Sequence, residues 1–440
     1  MTTLTHELLA PSGSDTTPIR GFRQRLAKKL VTSRLDGLAD ARVRIEEDWS
    51  GELQTVGRGE SVQATIRILD PSFYTAVLSR GSLGAAEAWI DGAWTCDDLT
   101  ALVRAFVRNR SVLEGVDDAW LARFSRPLLR LFHQRRKNTE TGSRQNIAAH
   151  YDLGNEFFEQ MLDETMTYSS GIFESEESTL EEAQFCKLDR LCRKLDLQPT
   201  DHLVEIGTGW GSMAIHAAKH FGCRVTTTTI SAEQKKLAEE KICAEGLEGR
   251  IEVVFQDYRK LEGTYDKLVS CEMIEAVGAD HLDVYSRRLS ELVKPDGILA
   301  IQAILIDDAS YARALKNVDF IKRYIFPGSF IPSSTAILNS VTRSSDLRLR
   351  GFEEFGNHYA RTLRTWRERL YRELPTLRDQ GLDDRFLRLF EYYLCYCEGG
   401  FAERFLGVGQ FVFSKPQARP EALLAPRGQL RAGAVDPTGI

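Results

Sequence analysis

The stretch Val204-Glu205-Ile206-Gly207-Thr208-Gly209-Trp210-Gly211-Ser212 has the pattern of a buried apolar strand that breaks into a glycine-rich turn. Residues 213–218 then continue as a predicted helix. Three glycines at alternate positions remove side chains where the backbone must approach a ligand closely. The helix N-terminus behind them presents free N–H groups and a partial positive charge. This unit predicts a ligand-binding turn, and the alternative is a tight turn without a ligand.

The spacing of the glycines indicates which ligand the turn would bind. G-x-G-x-G is one residue shorter than the dinucleotide pattern G-x-G-x-x-G, and it suits S-adenosylmethionine (SAM), a nucleoside with an amino-acid tail, better than a pyrophosphate. The second predicted strand ends without a carboxylate, so Thr229 and Gln234 are candidates for binding the ribose hydroxyls. After the third strand, Asp257 could bind the adenine amine and Tyr258 could stack on the ring. The threonines at 226–229 can also be explained by β-propensity alone.

Composition excludes several classes of protein. The 440 residues are 42% apolar and 27% charged, which is typical of a soluble globular protein with two domains and tails. No apolar run reaches about 18 residues, and the N-terminus lacks a secretory pattern, so we expect neither a transmembrane helix nor export. Eight scattered cysteines predict neither a disulfide framework nor a metal site. The net charge of −6 argues against nucleic-acid binding, and a cytoplasmic location is expected.

Changes in sequence pattern divide the chain into five segments. Residues 1–18 and 416–440 are predicted to be disordered tails. Residues 19–120 are predicted to be a small α+β domain with short helices at 73–83, 85–90 and 99–107. It begins with a basic amphipathic helix at 20–38, whose apolar residues near one face are Phe22, Leu26, Leu30 and Leu35. Residues 121–144 form a basic amphipathic helix and linker, which suits either an anionic membrane surface or a solvated linker helix. Residues 145–415 are predicted to be the catalytic domain.

The catalytic domain alternates strands with helices. Strands are predicted around the opening stretch and at 224–230, 251–255, 267–271 and 297–304, with a closing strand at 409–414. Such alternation predicts a Rossmann-like, doubly wound α/β fold, in which ligands bind outside the carboxyl ends of the strands. Glu275 follows the fourth strand in an apolar setting. It is either a site residue or an acid that offsets a helix dipole.

Several motifs together give the chain a family resemblance. It resembles bacterial cyclopropane-fatty-acyl-phospholipid synthases, which are relatives of the mycolic acid cyclopropane synthases. The N-terminal region resembles the smaller lipid-engaging domain of that family more weakly. The matching segments between about 145 and 415 are His150-Tyr151-Asp152-Leu153-Gly154-Asn155, Met166-Thr167-Tyr168-Ser169, the glycine turn, Thr229-Ile230-Ser231-Ala232-Glu233-Gln234, Gln256-Asp257-Tyr258-Arg259, Tyr324-Ile325-Phe326-Pro327-Gly328, Phe355-Gly356 with Tyr359, and Tyr392-Tyr393-Leu394 to Phe401.

The resemblance implies a chemistry and a set of SAM contacts. SAM would methylate a cis double bond in a phospholipid acyl chain, and the resulting carbocation would lose a proton and close a cyclopropane ring. The resemblance also implies a homodimer, and peripheral contact with the inner face of the cytoplasmic membrane is expected. The expected cofactor-binding residues are Tyr168, Ser169, Glu205, Gly207, Thr208, Gly209, Trp210, Gly211, Thr229, Ser231, Gln234, Asp257 and Tyr258.

The resemblance also implies a bicarbonate ion as the base that removes the proton. Glu275 and Tyr359 match two of its expected contacts, and Ile304 lies at a backbone contact. Two positions depart, because Ser170 stands where the family has Cys and Gln302 where it has His. Neither can carry the charge of an imidazolium, so the ion would bind more weakly or another base would act.

The departures leave the product and the activity class open. The same carbocation could give a methylene or methyl-branched chain in place of the ring. The alternatives from other classes are a non-catalytic SAM-binding protein of the membrane surface and a small-molecule N- or O-methyltransferase. Cys397 matches a cysteine once favoured as a nucleophile, and we expect it to be structural because methyl transfer to an alkene needs no enzyme nucleophile.

Overall fold

The structure is a computed structural model that describes residues 21–110 and 154–419. The predictions for the N-terminal tail, for the basic helix and linker at 121–144, for the motif residues 150–153 and for 420–440 lie outside the described residues. The division into domains stays a prediction.

A four-stranded sheet and three helices make up the described N-terminal part. The strands are β1 (Arg42–Glu47), β2 (Leu53–Val56), β3 (Gln63–Ile68) and β4 (Trp94–Cys96), in the order β2-β1-β3-β4. The helices are α1 (Phe22–Leu35), α2 (Ser72–Ile90) and α3 (Leu99–Arg108). Two helical segments of α2 meet at a kink at Gly81, which has a φ of 61°, whereas the sequence predicted the break between residues 83 and 85.

The first helix buries only one residue of the predicted apolar face, Leu35, which is 6% exposed. Phe22, Leu26 and Leu30, expected on the apolar face, are 77%, 42% and 43% exposed. The buried face of this helix, which packs on the rest of the N-terminal part, carries Ala27 and Val31, spaced by one helical turn. This basic helix therefore has an exposed stripe of apolar residues in addition to its buried face.

The larger sheet has seven strands in the order β10-β11-β9-β8-β5-β6-β7. Pairing is parallel from β9 to β7, whereas β11 and β10 run antiparallel to their neighbours. Strand β10 was not predicted from the sequence, because its residues are mostly exposed and show no buried alternation. The strands are β5 (His202–Ile206), β6 (Arg224–Thr229), β7 (Ile251–Phe255), β8 (Tyr265–Cys271), β9 (Val293–Ile306), β10 (Arg348–Glu354) and β11 (Leu406–Ser414).

Helices cover both faces of this sheet. Successive residues of β8 show this, because Leu268 belongs to one apolar core and Val269 to another. A parallel sheet buried on both faces is the doubly wound architecture, so the predicted α/β fold class is confirmed. The helices are α4 (Asn155–Met161), α5 (Leu180–Lys194), α6 (Ser212–Phe221), α7 (Ala232–Ala244), α8 (Leu282–Leu292), α9 (Asp308–Lys316), α10 (Ser334–Ser344), α11 (Gly356–Arg372), α12 (Leu374–Asp379) and α13 (Asp384–Ala402).

Helix α13 joins the two sheets into one packed body. The buried guanidinium of Arg388 donates to the carbonyls of Trp89 (2.6 Å) and Trp94 (2.9 Å), and the Trp89 indole donates back to the Arg388 carbonyl (3.1 Å). A Cβ on Gly399 would lie 2.6 Å from a methyl group of Val103 on α3. The N-terminal part therefore contacts the catalytic part through buried, directional bonds. Within the described residues, no helix is both long and apolar enough to cross a bilayer.

Candidate active site

The glycine turn follows β5, and its backbone adopts a conformation that residues with side chains rarely adopt. Gly207 and Gly209 have φ values of 99° and 52°, in the left-handed region. A Cβ on Gly207 would lie 3.1 Å from the Met273 side chain, whereas the position of a Cβ on Gly209 faces open space. The amides of Gly207 and Thr208 both donate to the Thr228 carbonyl on β6, at 3.1 Å. The turn is therefore fixed with an open cradle above it, which fits a nucleoside ligand.

One cavity of about 670 Å³ begins at this turn. Of the predicted cofactor residues, only Gly211 and Ser231 do not line it, because they are the N-cap residues of α6 and α7. The predicted residues that line it are Tyr168, Ser169, Glu205, Gly207, Thr208, Gly209, Trp210, Thr229, Gln234, Asp257 and Tyr258.

The predicted ribose and adenine contacts have partners within the protein. The Thr229 hydroxyl donates to the Gln234 side-chain oxygen at 2.9 Å. The Arg259 guanidinium donates to both oxygens of Asp257, at 2.8 and 2.6 Å. Burial raises the pKa of Asp257, but these bonds outweigh it and hold the pKa below its usual value. Asp257 is thus a fixed carboxylate that can accept a further hydrogen bond from a ligand.

Two buried polar groups lie beneath the turn. The Glu205 carboxylate accepts from the Thr227 hydroxyl at 2.6 Å, and burial raises its pKa to about 8. The Lys187 ammonium donates to the Ser169 hydroxyl at 2.8 Å and lines the cavity, although the lysine is only 1% exposed. The sequence analysis missed Lys187. Its signal was its place on the buried stripe of α5, which also carries Leu180, Ala183 and Leu191.

A second carboxylate, Glu272, stands at the centre of the predicted catalytic residues. Its Oε1 accepts from the Ser170 amide at 2.9 Å and from the Gln302 side-chain amide at 2.8 Å. Its Oε2 accepts from the Tyr359 hydroxyl at 2.7 Å. Glu272 lines the cavity, whereas Ser170 and Gln302 lie behind it, fully buried. The Ser170 hydroxyl itself turns away and donates to the Gly171 carbonyl.

Glu275 lies beside this carboxylate. Its Oε1 accepts from the Ile304 amide at 2.6 Å, and its buried Oε2 has no hydrogen-bond partner among the described residues. Burial and then the negative charge of Glu272 raise the pKa of Glu275 to about 8. The three donors favour the charged form of Glu272, whereas Glu275, with a single donor, favours the protonated form at neutral pH.

Comparison with known proteins identifies the fold and its chemistry. The profile of the mycolic acid cyclopropane synthetase family matches residues 138–411. The chain belongs to this family. It is 36% identical over 360 residues to the cyclopropane-fatty-acyl-phospholipid synthase of Escherichia coli K12, covering 81% of this chain and 89% of the relative. It is 37% identical over 339 residues to the tuberculostearic acid methyltransferase UfaA1 of Mycobacterium tuberculosis, covering 75% and 78%.

Solved structures agree with this assignment. The cyclopropane synthase MmaA2 of Mycobacterium tuberculosis superposes with a TM-score of 0.58 at 28% identity, over 62% of this chain and 98% of that protein. The mycolic acid cyclopropane synthase CmaA1, solved with SAH and CTAB, gives 0.56 at 27% identity, over 62% and 98%. The resemblance found in the sequence is confirmed, and the protein is a SAM-dependent methyltransferase of this family.

The bicarbonate ion expected from the resemblance does not fit the described residues. The donors of Ser170, Gln302 and Tyr359 already bind Glu272, and the Ile304 amide already binds Glu275. An added anion would lie against a carboxylate without the imidazolium that Gln302 replaces, and like charges at such distances repel. The sequence analysis missed Glu272 because its three partners come from distant segments, and no local spacing reveals such a cluster.

Proposed function

We propose that this enzyme transfers a methyl group from SAM to a cis double bond in a phospholipid acyl chain and closes a cyclopropane ring. The cavity supports this proposal most directly. Its lining includes the glycine turn, Glu272 and Glu275, together with apolar side chains of the N-terminal helices such as Phe73, Val77 and Phe106. A cavity that joins a methyl-donor site to apolar walls suits an acyl chain better than a small polar amine.

The residues along the cavity suit a carbocation mechanism. Bound SAM would supply an electrophilic methyl group. Aromatic rings of Tyr168, Tyr359 and Phe401 line the cavity, with the last two rings 4.5 Å apart, and their faces would stabilise a cation. One of the two buried carboxyl groups would accept the proton that ring closure releases. The apolar walls would exclude water, which would otherwise trap the cation as an alcohol.

The decisive experiment is incubation of the protein with SAM and vesicles of a cis-monounsaturated phospholipid. Fatty acid methyl esters are then analysed by mass spectrometry, before and after mild hydrogenation that spares cyclopropanes. We expect a one-carbon mass gain that resists hydrogenation. A product that gains one carbon but takes up hydrogen would be a methylene or methyl-branched chain, and the proposed ring would then be wrong. No gain, with SAM binding measured separately, would contradict lipid methylation on this substrate.

We further propose that the enzyme works at a membrane surface. The exposed apolar stripe of α1, defined by Phe22, Leu26 and Leu30, lies among exposed basic residues such as Arg25 and Lys29. Apolar side chains flanked by cations suit insertion at the interface of an anionic membrane. Replacing the three stripe residues with serine should reduce co-sedimentation with such vesicles. Location at the inner face of the cytoplasmic membrane and a homodimer remain predictions.

A further inference from the structure

The carboxylate of Glu272 occupies the place where an external anion was expected. It accepts hydrogen bonds from the backbone amide of Ser170, the side-chain amide of Gln302 and the hydroxyl of Tyr359. These are three of the five residues that were predicted to contact the anion. The same carboxylate lines the cavity, so it remains within reach of a bound substrate. A side chain therefore provides the negative group that an ion would otherwise bring.

The backbone conformation of Glu272 also supports the conclusion that its side chain provides the negative group. Its φ of 47° lies in the left-handed region, which glycine tolerates far better than a residue with a Cβ. Such strain persists only where the surroundings enforce it. The Glu272 amide donates to the Gln302 carbonyl at 2.8 Å, so β9 holds both the strained backbone and the carboxylate. The strain directs the side chain into the cluster of donors.

We propose that Glu272 is the general base of this enzyme and that no bicarbonate takes part. The assignment rests on the proposed function. In the step, the alkene attacks the methyl carbon of SAM, the carbon–sulfur bond breaks, and neutral S-adenosylhomocysteine leaves. A C–H bond of the new methyl group then breaks, its electron pair closes the ring, and the proton passes to a carboxylate oxygen of Glu272. Glu275, held by the Ile304 amide, remains protonated beside it.

The first test compares two matched variants. Glu272→Gln preserves the size of the side chain but replaces an acceptor oxygen with an NH₂ donor and cannot accept the proton, so cyclopropane formation should fall about 10²–10⁴-fold while SAM affinity stays within about threefold. Glu391→Gln is the control, because Glu391 is buried and accepts from the Tyr371 hydroxyl at 2.6 Å but lies outside the cavity lining. It should retain activity. Ring formation by Glu272→Gln at close to the wild-type rate would overturn the assignment.

The second test does not depend on turnover. Glu272→Gly frees the three donors and suits the backbone conformation, so it should bind ¹³C-labelled bicarbonate in an NMR titration, whereas the wild-type protein should not. Bicarbonate bound equally by both proteins, or by neither, would overturn the assignment of Glu272 to the anion position. If the wild-type protein methylates no lipid, the proposed function is wrong. The titration still decides separately whether Glu272 occupies the anion position.

Discussion

At the scale of single residues, burial raises the pKa of carboxyl groups in the site and so changes their charge. Glu205 shows the consequence for stability, since its pKa is 4.5 in an unfolded chain and about 8 in the folded protein. Between these values the folded state holds a proton that the unfolded state has released, so stability falls as pH rises, by up to about 1.4 kcal/mol per pH unit.

Glu205→Gln should remove this loss. The neutral amide mimics the protonated acid, so the melting temperatures of variant and wild type should agree at pH 5, and the variant should melt higher at pH 8. Thermal unfolding at the two pH values measures the difference. An equal gap at both would show that Glu205 is already ionised in the folded protein.

Tyr359 is a positioning residue, because it acts through Glu272. Its hydrogen bond lowers the pKa of Glu272, which burial raises. Tyr359→Phe should therefore lower kcat about tenfold and move the acidic limb of its pH profile to higher pH. The other titratable groups that interact with Glu272 are Glu275, Cys271, Lys187 and Tyr393. Tyr371→Phe, which removes the hydroxyl from another buried Tyr–Glu pair, should leave the profile unmoved.

Cys397 remains predicted to be structural. Burial raises the pKa of its thiol far above the usual value, which leaves no thiolate to act as a nucleophile. Cys397→Ala should therefore retain methyl transfer within about threefold, the size of effect expected from a packing change. Loss of all activity in a folded variant with normal SAM binding would contradict this prediction.

At the scale of elements, the strand–turn–helix unit carries cofactor binding. Gly207→Ala forces a side chain into the left-handed region and against Met273, so SAM affinity should fall about tenfold or more, by calorimetry. Gly246→Ala is the matched control, since Gly246 also has a positive φ, 66°, but open space around it. It should cost about 1 kcal/mol of stability and leave SAM affinity unchanged.

The sequence predicted the elements better than the site. Alternating strands and glycine spacing are local patterns, so the doubly wound sheet and the cradle at Gly207 could be derived. The exposed β10 and the buried face of α1 could not, because tertiary packing decides them. Ser170, Gln302 and Tyr359 were found through the family resemblance. Glu272, which their donors surround, was missed because it reads locally as the end of a strand.

At the scale of the whole molecule, charge around the cavity should guide the phospholipid. Arg313 and Lys316 on α9 are exposed and line the cavity, and cations at such a rim attract anionic head groups. Reversing both charges should raise KM on anionic vesicles, with kcat nearly unchanged and the salt dependence weaker. Lys236→Glu, on the exposed surface of α7 and outside the cavity lining, is the control. An equal effect of the control would indicate general charge attraction only.

The bonds between Arg388 and the two tryptophans limit how such an enzyme can diversify. A new acyl-chain preference needs changes in α2 and α3, yet these helices contact α13, and Gly399 leaves no room beside Val103 for even a methyl group. A grafted N-terminal segment from a distant homologue would therefore fail unless α13 travelled with it. For protein engineers, the exchangeable module is this set of helices, although its parts are nearly 300 residues apart in sequence.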